Sequence, residues 1–230
     1  MKKAVAGLAL LLALLAQAVP VGAAENQIAV VAAENFYGDI ARQIGGDRVS
    51  VVSIMNNPDQ DPHLFETTPG IVRQIAAAQI VILNGANYDS WMDKLLAAGP
   101  RRDRLVVNAA RLTGYKAGDN PHLWYDPATM PAVAAAIADA LAKSDSAHAA
   151  DYSARLKVTL AALAQITQRI AQLKAKHGGA PVTATEPVFG PMARALGLTM
   201  RNERFQLAMM NAAEPRALGA VAFVIEIKER

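Results

Sequence analysis

Strand-like and helix-like segments alternate through the first half of the chain, and this alternation limits the fold more than any other feature. Short runs rich in β-branched residues are typical of buried strands, and the stretches between them repeat apolar residues at helical spacing. Such an order predicts an α/β fold with a parallel sheet and helices on both faces, whose ligands lie beyond the carboxyl ends of the strands. The predicted order is strand 28–31, helix 36–44, strand 49–54, helix 69–78, strand 80–83, helix 88–98 and strand 105–107.

A long amphipathic helix is predicted over residues 151–176. Its apolar residues recur at steps of three and four, so they form one stripe along a helix of about 39 Å. We interpret it as a buried helix between two α/β lobes; a coiled coil or an amphipathic membrane helix would give the same stripe. Beyond it, strand 181–185, helix 187–196 and an apolar segment 218–227 predict a second lobe. The stripe consists of Tyr152, Leu156, Leu160, Leu163, Ile166, Ile170 and Leu173.

The N-terminus has the composition of an export signal. Lys2 and Lys3 precede an uninterrupted apolar stretch over 4–16, which gives way to small residues over 19–24. The stretch is too short to cross a bilayer, whose core needs about 20 apolar residues. Residues 1–24 are therefore predicted to be a signal peptide that directs the chain to the periplasm. The sequence contains no cysteine, so we expect neither a lipid anchor nor a disulfide.

The charge balance gives no sign of a nucleic-acid partner. Loss of the predicted signal removes two of the 23 basic residues and none of the 20 acidic ones, so the formal charge falls from +3 to +1. Nucleic-acid-binding domains usually carry a basic stripe with interleaved aromatic residues, and this sequence has no such stripe. We therefore expect no nucleic acid among its partners.

Two Pro–His pairs indicate a metal site. The first pair ends at His63 and the second at His122, and each has a carboxylate and a large aromatic residue within a few positions. Neutral imidazole is the commonest protein ligand for transition metals, and a nearby carboxylate often fixes its orientation. We expect Glu66 and Asp126 to be outer partners of the histidines, or to form salt bridges, rather than to bind the metal. The two imidazoles are predicted to share one ion.

Further motifs resemble one family of proteins. The run 35–47 (NFYGDIARQIGGD), the segment 61–69 with its Asp-Pro-His, Asn84-Gly85 and Trp91 are similar to the metal-binding receptors of bacterial ABC importers for zinc and manganese. The resemblance covers nearly the whole chain after the predicted signal. It implies two α/β lobes joined by one long rigid helix, with the metal in the cleft between them. It also implies a monomeric receptor whose partner is an ABC membrane permease.

The resemblance implies a ligand set as well. His63 and His122 match the two ligands that the family takes from its first lobe, and Glu186 stands where many members have a third histidine. Residues 214–216 match the family's Glu-Pro-Ser motif except for an arginine at the last place. The fourth ligand of the family is a carboxylate in a later loop, so we expect a C-terminally truncated chain with an incomplete second lobe. As an alternative to metal binding, Glu186 could cap the helix that follows it.

The ligand types do not decide which metal ion binds. Two imidazoles with carboxylates suit zinc, but Glu186 in place of a histidine makes the site harder and favours manganese or ferrous iron. The general affinity order of divalent metals ranks zinc above manganese at nitrogen and oxygen ligands. Zn²⁺ and Mn²⁺ therefore both remain candidates, with Fe²⁺ as a third.

Three functions are compatible with such a site. The main interpretation is a solute-binding receptor that delivers the metal to a permease and is not an enzyme. A zinc-dependent hydrolase is the second, although the sequence has no His-Glu-x-x-His motif or nucleophile elbow. A metal-binding surface adhesin is the third. The predicted division is a signal peptide over 1–24, an N-terminal α/β lobe over 25–127, a helical segment with the linking helix over 128–180, and a partial C-terminal α/β lobe over 181–230.

Overall fold

The α/β architecture is built around one four-stranded sheet and one small two-stranded sheet. The computed structural model describes residues 27–57, 60 and 65–210. Within these ranges the strands and α-helices are β1 Ile28–Glu34, α1 Asn35–Gly45, β2 Val49–Met55, α2 Pro69–Ala77, β3 Ile80–Leu83, α3 Ser90–Ala98, β4 Leu105–Asn108, α4 Ala109–Thr113, α5 Thr129–Ser144, α6 Ala149–His177, β5 Pro181–Val182, α7 Gly190–Ala195, β6 Thr199–Met200 and α8 Glu203–Met210.

The four-stranded sheet is parallel throughout and has the order β2-β1-β3-β4. Val31 of β1 lies opposite Val52 of β2 on one side and Val81 of β3 on the other. The chain therefore leaves β1 toward one edge to form β2 and returns to the other side to form β3. This reversal creates a switch point between β1 and β3, where ligands of open α/β sheets bind. The predicted parallel α/β sheet is confirmed.

Helices cover both faces of this sheet, because successive residues of a buried strand point to opposite sides. One face packs against α1, α5 and the beginning of α6, and the other packs against α2 and α3. The strand residues on the first face include Val30, Ala32, Ile80 and Ile82, and those on the second include Val31, Ala33, Val81 and Leu83. We refer to this sheet and its helices as the first lobe.

The long helix α6 has 29 residues and continues a 3₁₀ turn over Ser146–His148. The predicted long helix is confirmed, but its predicted burial is wrong at one residue of the stripe. Tyr152 is fully buried against the first lobe, whereas Ile166 is 53% exposed. The helix is longer than the sheet against which it packs, so part of it extends beyond the first lobe. It spans about 43 Å, while a seven-residue strand such as β1 spans only about 23 Å.

Beyond α6, β5 and β6 form a parallel pair, with Val182 opposite Met200, and α7 and α8 accompany it. We call these elements the second lobe. The predicted strand 181–185 ends early, because both the N–H and the carbonyl of Ala184 bond to the side chain of Asn202 instead of to a neighbouring strand. The predicted helix 187–196 is divided into a 3₁₀ turn, Pro187–Phe189, and α7.

Several predicted features lie outside the described residues. These are the signal peptide 1–24, His63, residues 214–216 and the apolar segment 218–227. Among the residues that are described, no helix is both long enough and apolar enough to cross a membrane.

Candidate metal centre

His122 lies beyond the carboxyl ends of the strands, immediately before a 3₁₀ turn over Leu123–Tyr125. Its position is fixed from the switch point, because the Asn84 side chain at the end of β3 donates from Nδ2 to the carbonyl of Pro121 at 2.9 Å. Asn84 is fully buried, so this bond ties the histidine segment to the sheet. The half-buried imidazole is therefore held at the edge where the fold places ligands.

The tautomer of His122 follows from its neighbour Asn120. Asn120 Oδ1 accepts the backbone N–H of His122 at 3.1 Å and lies 2.8 Å from His122 Nδ1. An amide oxygen only accepts hydrogen bonds, so Nδ1 carries the proton and donates it. Nε2 then carries the lone pair that a metal ion can accept. This is the arrangement that metal-binding histidines usually show.

Aromatic rings surround the imidazole. The ring centroids of Tyr88 and Trp124 lie 5.9 Å and 5.4 Å from that of His122, both in edge-to-face contact. Trp124 also stacks on Phe36, at the start of α1, with a centroid distance of 4.6 Å. Rings packed in this way restrict the orientation of the imidazole and exclude water from one side of it.

The loop that carries Tyr88 is held in an uncommon backbone conformation. Three consecutive residues have positive φ angles, +76° at Gly85, +52° at Ala86 and +66° at Asn87. Asp89 keeps the loop closed, because its two carboxylate oxygens accept the N–H groups of Asn84 at 2.7 Å and Gly85 at 2.8 Å. Positive φ at two non-glycine residues is strained, and such strain is concentrated at functional sites.

Two acidic side chains are buried at this edge of the sheet. Asp89 is fully buried, which raises its pKa to about 6 even though the N–H groups of Gly85 and Asn84 favour its ionised form. Glu34, the last residue of β1, is 2% exposed, and neither of its carboxyl oxygens makes a regular hydrogen bond to a described residue. Burial raises the pKa of Glu34 well above its ordinary value, and the Asp89 carboxylate raises it further.

Tyr37 completes this buried polar group. Its hydroxyl donates to Asn84 Oδ1 at 2.7 Å, and burial together with the charges of Glu34 and Asp89 raises the pKa of the phenol. Tyr37 therefore stays neutral and acts as a donor. Hydrogen bonds thus connect Tyr37 of α1, Asn84 at the end of β3 and Asp89 before α3, next to the segment that carries His122.

Glu186 lies in the second lobe, at the residue before the 3₁₀ turn Pro187–Phe189. Its backbone is extended, with φ −134° and ψ 161°, and its exposed side chain makes no capping hydrogen bond. The alternative interpretation of Glu186 as a helix cap therefore has no such bond to support it. Within the described residues no group of three or more His, Cys, Asp or Glu side chains is assembled to hold a metal. Since His63 lies outside them, the set His63, His122 and Glu186 stays a prediction.

Asp126 and His148 have structural roles. Asp126 accepts the hydroxyl of Tyr115 at 2.8 Å and the N–H of Ala128 at 3.0 Å, so it braces the turn that follows His122. His148 pairs with Asp145 through Nδ1 at 2.7 Å. His177 is exposed at the end of α6, and Glu66 is exposed before α2.

No role was predicted from the sequence for Asn120, Asn84, Asp89 or Glu34. Asn120 and Asn84 occur in the motifs that led to the metal prediction, but their function depends on contacts with residues far along the chain. Glu34 could have been found from the rule that polar residues at the carboxyl ends of parallel strands line the ligand site.

Comparison with known proteins places these features in a family. The family model of the zinc-uptake complex component A, periplasmic (ZnuA), matches residues 30–230. The iron-binding protein YfeA of Yersinia pestis is 30% identical over 130 residues, which are 54% of this chain and 42% of YfeA. The manganese-binding lipoprotein MntA of Bacillus subtilis is 28% identical over 109 residues, which are 44% of this chain and 35% of MntA. The matches thus span less than half the length of these relatives.

Solved structures share the fold. The metal-dependent lipoprotein YcdH of Bacillus subtilis superimposes with a TM-score of 0.68 at 21% identity, over 74% of this chain and 65% of YcdH. The periplasmic zinc-binding protein TroA of Treponema pallidum gives a TM-score of 0.63 at 20% identity, over 76% of this chain and 66% of TroA. Both structures support the predicted α/β architecture with a long helix.

Proposed function

Since the chain belongs to the periplasmic component A family of zinc-uptake complexes, we propose that it is an extracytoplasmic receptor that binds a divalent transition metal ion and delivers it to an ABC permease. The observation that carries the proposal is the state of His122. Its Nδ1 is bonded to Asn120, which leaves the lone pair on Nε2, and its ring is packed between aromatic side chains at the switch point. A histidine with a fixed tautomer at that edge is prepared to bind a metal.

The proposed ligands are His63, His122 and Glu186, one imidazole pair from the first lobe and one carboxylate from the second. The exposure of Glu186 and the absence of a capping bond support this, because its carboxylate is available to a ligand. Around these three protein ligands, water would complete the coordination shell. The ion is cargo, so a site of this kind must release it as well as bind it.

The proposed cargo is Zn²⁺ or Mn²⁺, with Fe²⁺ as the further candidate. The names of relatives support each of the three: YfeA is described as iron-binding, MntA as manganese-binding and TroA as zinc-binding. The mixture of imidazole and carboxylate that we propose is acceptable to all three metals.

We infer the remaining features from the same resemblance. Residues 1–24 would direct export to the periplasm, and the mature chain would act as a monomer with lobes over 25–127 and 181–230 joined by the segment 128–180. The family is named for zinc uptake, and the relatives named above are described as metal-binding, which supports a receptor over the hydrolase that two histidines and a carboxylate could also form. No observation favours the adhesin.

Metal titration tests the proposal. Isothermal calorimetry of the chelator-treated protein with ZnCl₂ and MnCl₂ should give one binding site, and His122→Ala should weaken it by at least about tenfold, because it removes a ligand. His177→Ala is the matched control, since this exposed histidine lies at the far end of α6. Equal affinities for the wild type and His122→Ala would contradict the proposed site, and absence of binding to the wild type would contradict the proposed function.

A further inference from the structure

One side chain connects the two lobes beside the proposed metal site. The Asn120 amide accepts from His122 through Oδ1, and its Nδ2 donates to the carbonyl of Pro187 at 2.6 Å. Pro187 is 67 residues further along the chain and directly follows Glu186. A single amide therefore contacts the segment of a proposed ligand from the first lobe and the segment of a proposed ligand from the second.

The orientation of this amide is fixed by its partners. The carbonyl of Pro187 only accepts, so it must face the NH₂ group of Asn120, and the backbone N–H of His122 only donates, so it must face the oxygen. The same orientation then gives His122 an Nδ1 proton. A carboxylate at position 120 could serve His122 but could not donate to Pro187.

The residues around the bond from Asn120 to Pro187 leave room for the amide group. Pro187 is buried, and a Cβ atom at Gly190 would lie only 2.8 Å from Asn120 Nδ2. Gly190 has an ordinary helical φ of −52°, so its missing side chain, and not its backbone, is what this contact requires. A cavity of about 340 Å³ lined by Asn120, Pro187, Gly190 and Arg194 adjoins the bond between the lobes.

We propose that Asn120 is a positioning residue that couples the two lobes to the metal site. It holds His122 in the tautomer with the proton on Nδ1 and the lone pair on Nε2, and it holds the segment that begins at Glu186 against the first lobe. The effect on metal binding rests on the proposed function. The bond from Asn120 to Pro187, which we call the bridge between the lobes, does not depend on metal. Loss of the amide should therefore loosen the second lobe and weaken metal binding together.

Two substitutions at position 120 separate these effects. Asn120→Ala removes both bonds, and we expect Zn²⁺ affinity to fall by about 10- to 100-fold, as for other outer partners of metal ligands. Asn120→Asp keeps an acceptor for His122 Nδ1 and loses the donor to Pro187, so its affinity should lie between those of Asn120→Ala and the wild type. Calorimetry with ZnCl₂ measures both. Gln172→Ala, which changes an exposed amide on α6, is the control and should leave the affinity unchanged.

Hydrogen–deuterium exchange of the metal-free proteins tests the bridge by itself. In Asn120→Ala, Asn120→Asp and Gly190→Ala, the amides of residues 188–190 should exchange about three- to tenfold faster, which corresponds to the loss of one hydrogen bond. Wild-type exchange in all three variants would overturn the bridge. Equal losses of Zn²⁺ affinity in Asn120→Ala and Asn120→Asp would overturn the tautomer role. A wild type that binds no Zn²⁺ would overturn the proposed function, and the exchange comparison would still decide the bridge.

Discussion

Glu34 is the buried residue whose chemistry is least expected in a stable fold. Its carboxyl group is almost completely buried at the end of β1 and has no regular hydrogen-bond partner among the described residues. An isolated buried charge is costly, so burial raises the pKa of this carboxyl group and keeps it protonated above the pH at which an exposed glutamate ionises. The folded chain therefore takes up a proton at this position that the unfolded chain has lost.

This linkage predicts the effect of Glu34→Gln. Because the pKa of Glu34 is raised in the folded state, its contribution to the free energy of unfolding is fully present below the unfolded pKa of about 4.3. This contribution is lost as the pH rises through the folded pKa. The stability of the wild type should therefore fall relative to that of Glu34→Gln between pH 4 and pH 8. At pH 8 we expect the variant to be more stable by on the order of 1–3 kcal/mol.

Urea unfolding of the metal-free proteins across this pH range measures the difference. The same substitution at an exposed position of α8, Glu203→Gln, is the control for the loss of one carboxyl group, and it should show no comparable trend. A wild type that instead gains stability relative to Glu34→Gln as the pH rises would mean that the glutamate is held in its charged form.

Glu186 is the residue on which metal preference should depend. Glu186→His replaces a hard oxygen ligand by a nitrogen ligand and removes one negative charge, so the ratio of zinc to manganese affinity should rise by about tenfold or more. Competition titrations with both ions measure the ratio. Glu203→His, which makes the same change at an exposed position of α8, should leave the ratio unaltered. An unaltered ratio in Glu186→His as well would remove Glu186 from the ligand set.

At the scale of elements, periodicity predicted the first lobe well. The runs around β1, β2 and β3 are continuous and β-branched because the strands are buried on both faces, and the glycines and prolines between them mark where the helices end. The alanine-rich helix α5 was predicted only as part of the helical segment 128–180 and without bounds of its own, because alanine gives little contrast between buried and exposed sides. The hydrogen bonds of Asn84 and Asn120 could not be predicted for a different reason, since their partners are 37 and 67 residues away along the chain.

The uneven burial of α6 gives a prediction for this element. Ile170 is 8% exposed and Ile166 is 53% exposed, although both belong to the same apolar stripe. Ile170→Ala should cost about 2–4 kcal/mol in free energy of unfolding, because it leaves a cavity, and Ile166→Ala should change it by less than about 0.5 kcal/mol. Chemical denaturation of the two variants provides the comparison. Equal losses would show that the middle of the helix is covered in solution.

At the scale of the whole molecule, the site is assembled from segments that no single element contains. The switch point brings β1 and β3 together, the strained loop 85–87 presents Tyr88, and Asn120 connects His122 to the second lobe. The metal binding that we propose therefore depends on the folded arrangement of both lobes. An ion bound in this way stabilises the folded chain over the unfolded one, by an amount set by its concentration relative to Kd.

This dependence gives the last prediction. At a free Zn²⁺ concentration of 100 times Kd, the free energy of unfolding of the wild type should rise by about 2.7 kcal/mol over that of the metal-free protein. At the same Zn²⁺ concentration the double variant His63→Ala/His122→Ala should gain almost nothing, because both proposed imidazole ligands are gone. Asn120→Ala should gain an intermediate amount, about 1.4 kcal/mol less for each tenfold loss of affinity. Urea unfolding with and without Zn²⁺ gives these values. A full gain in the double variant would place the ion elsewhere, since its stabilising effect would then be independent of both histidines.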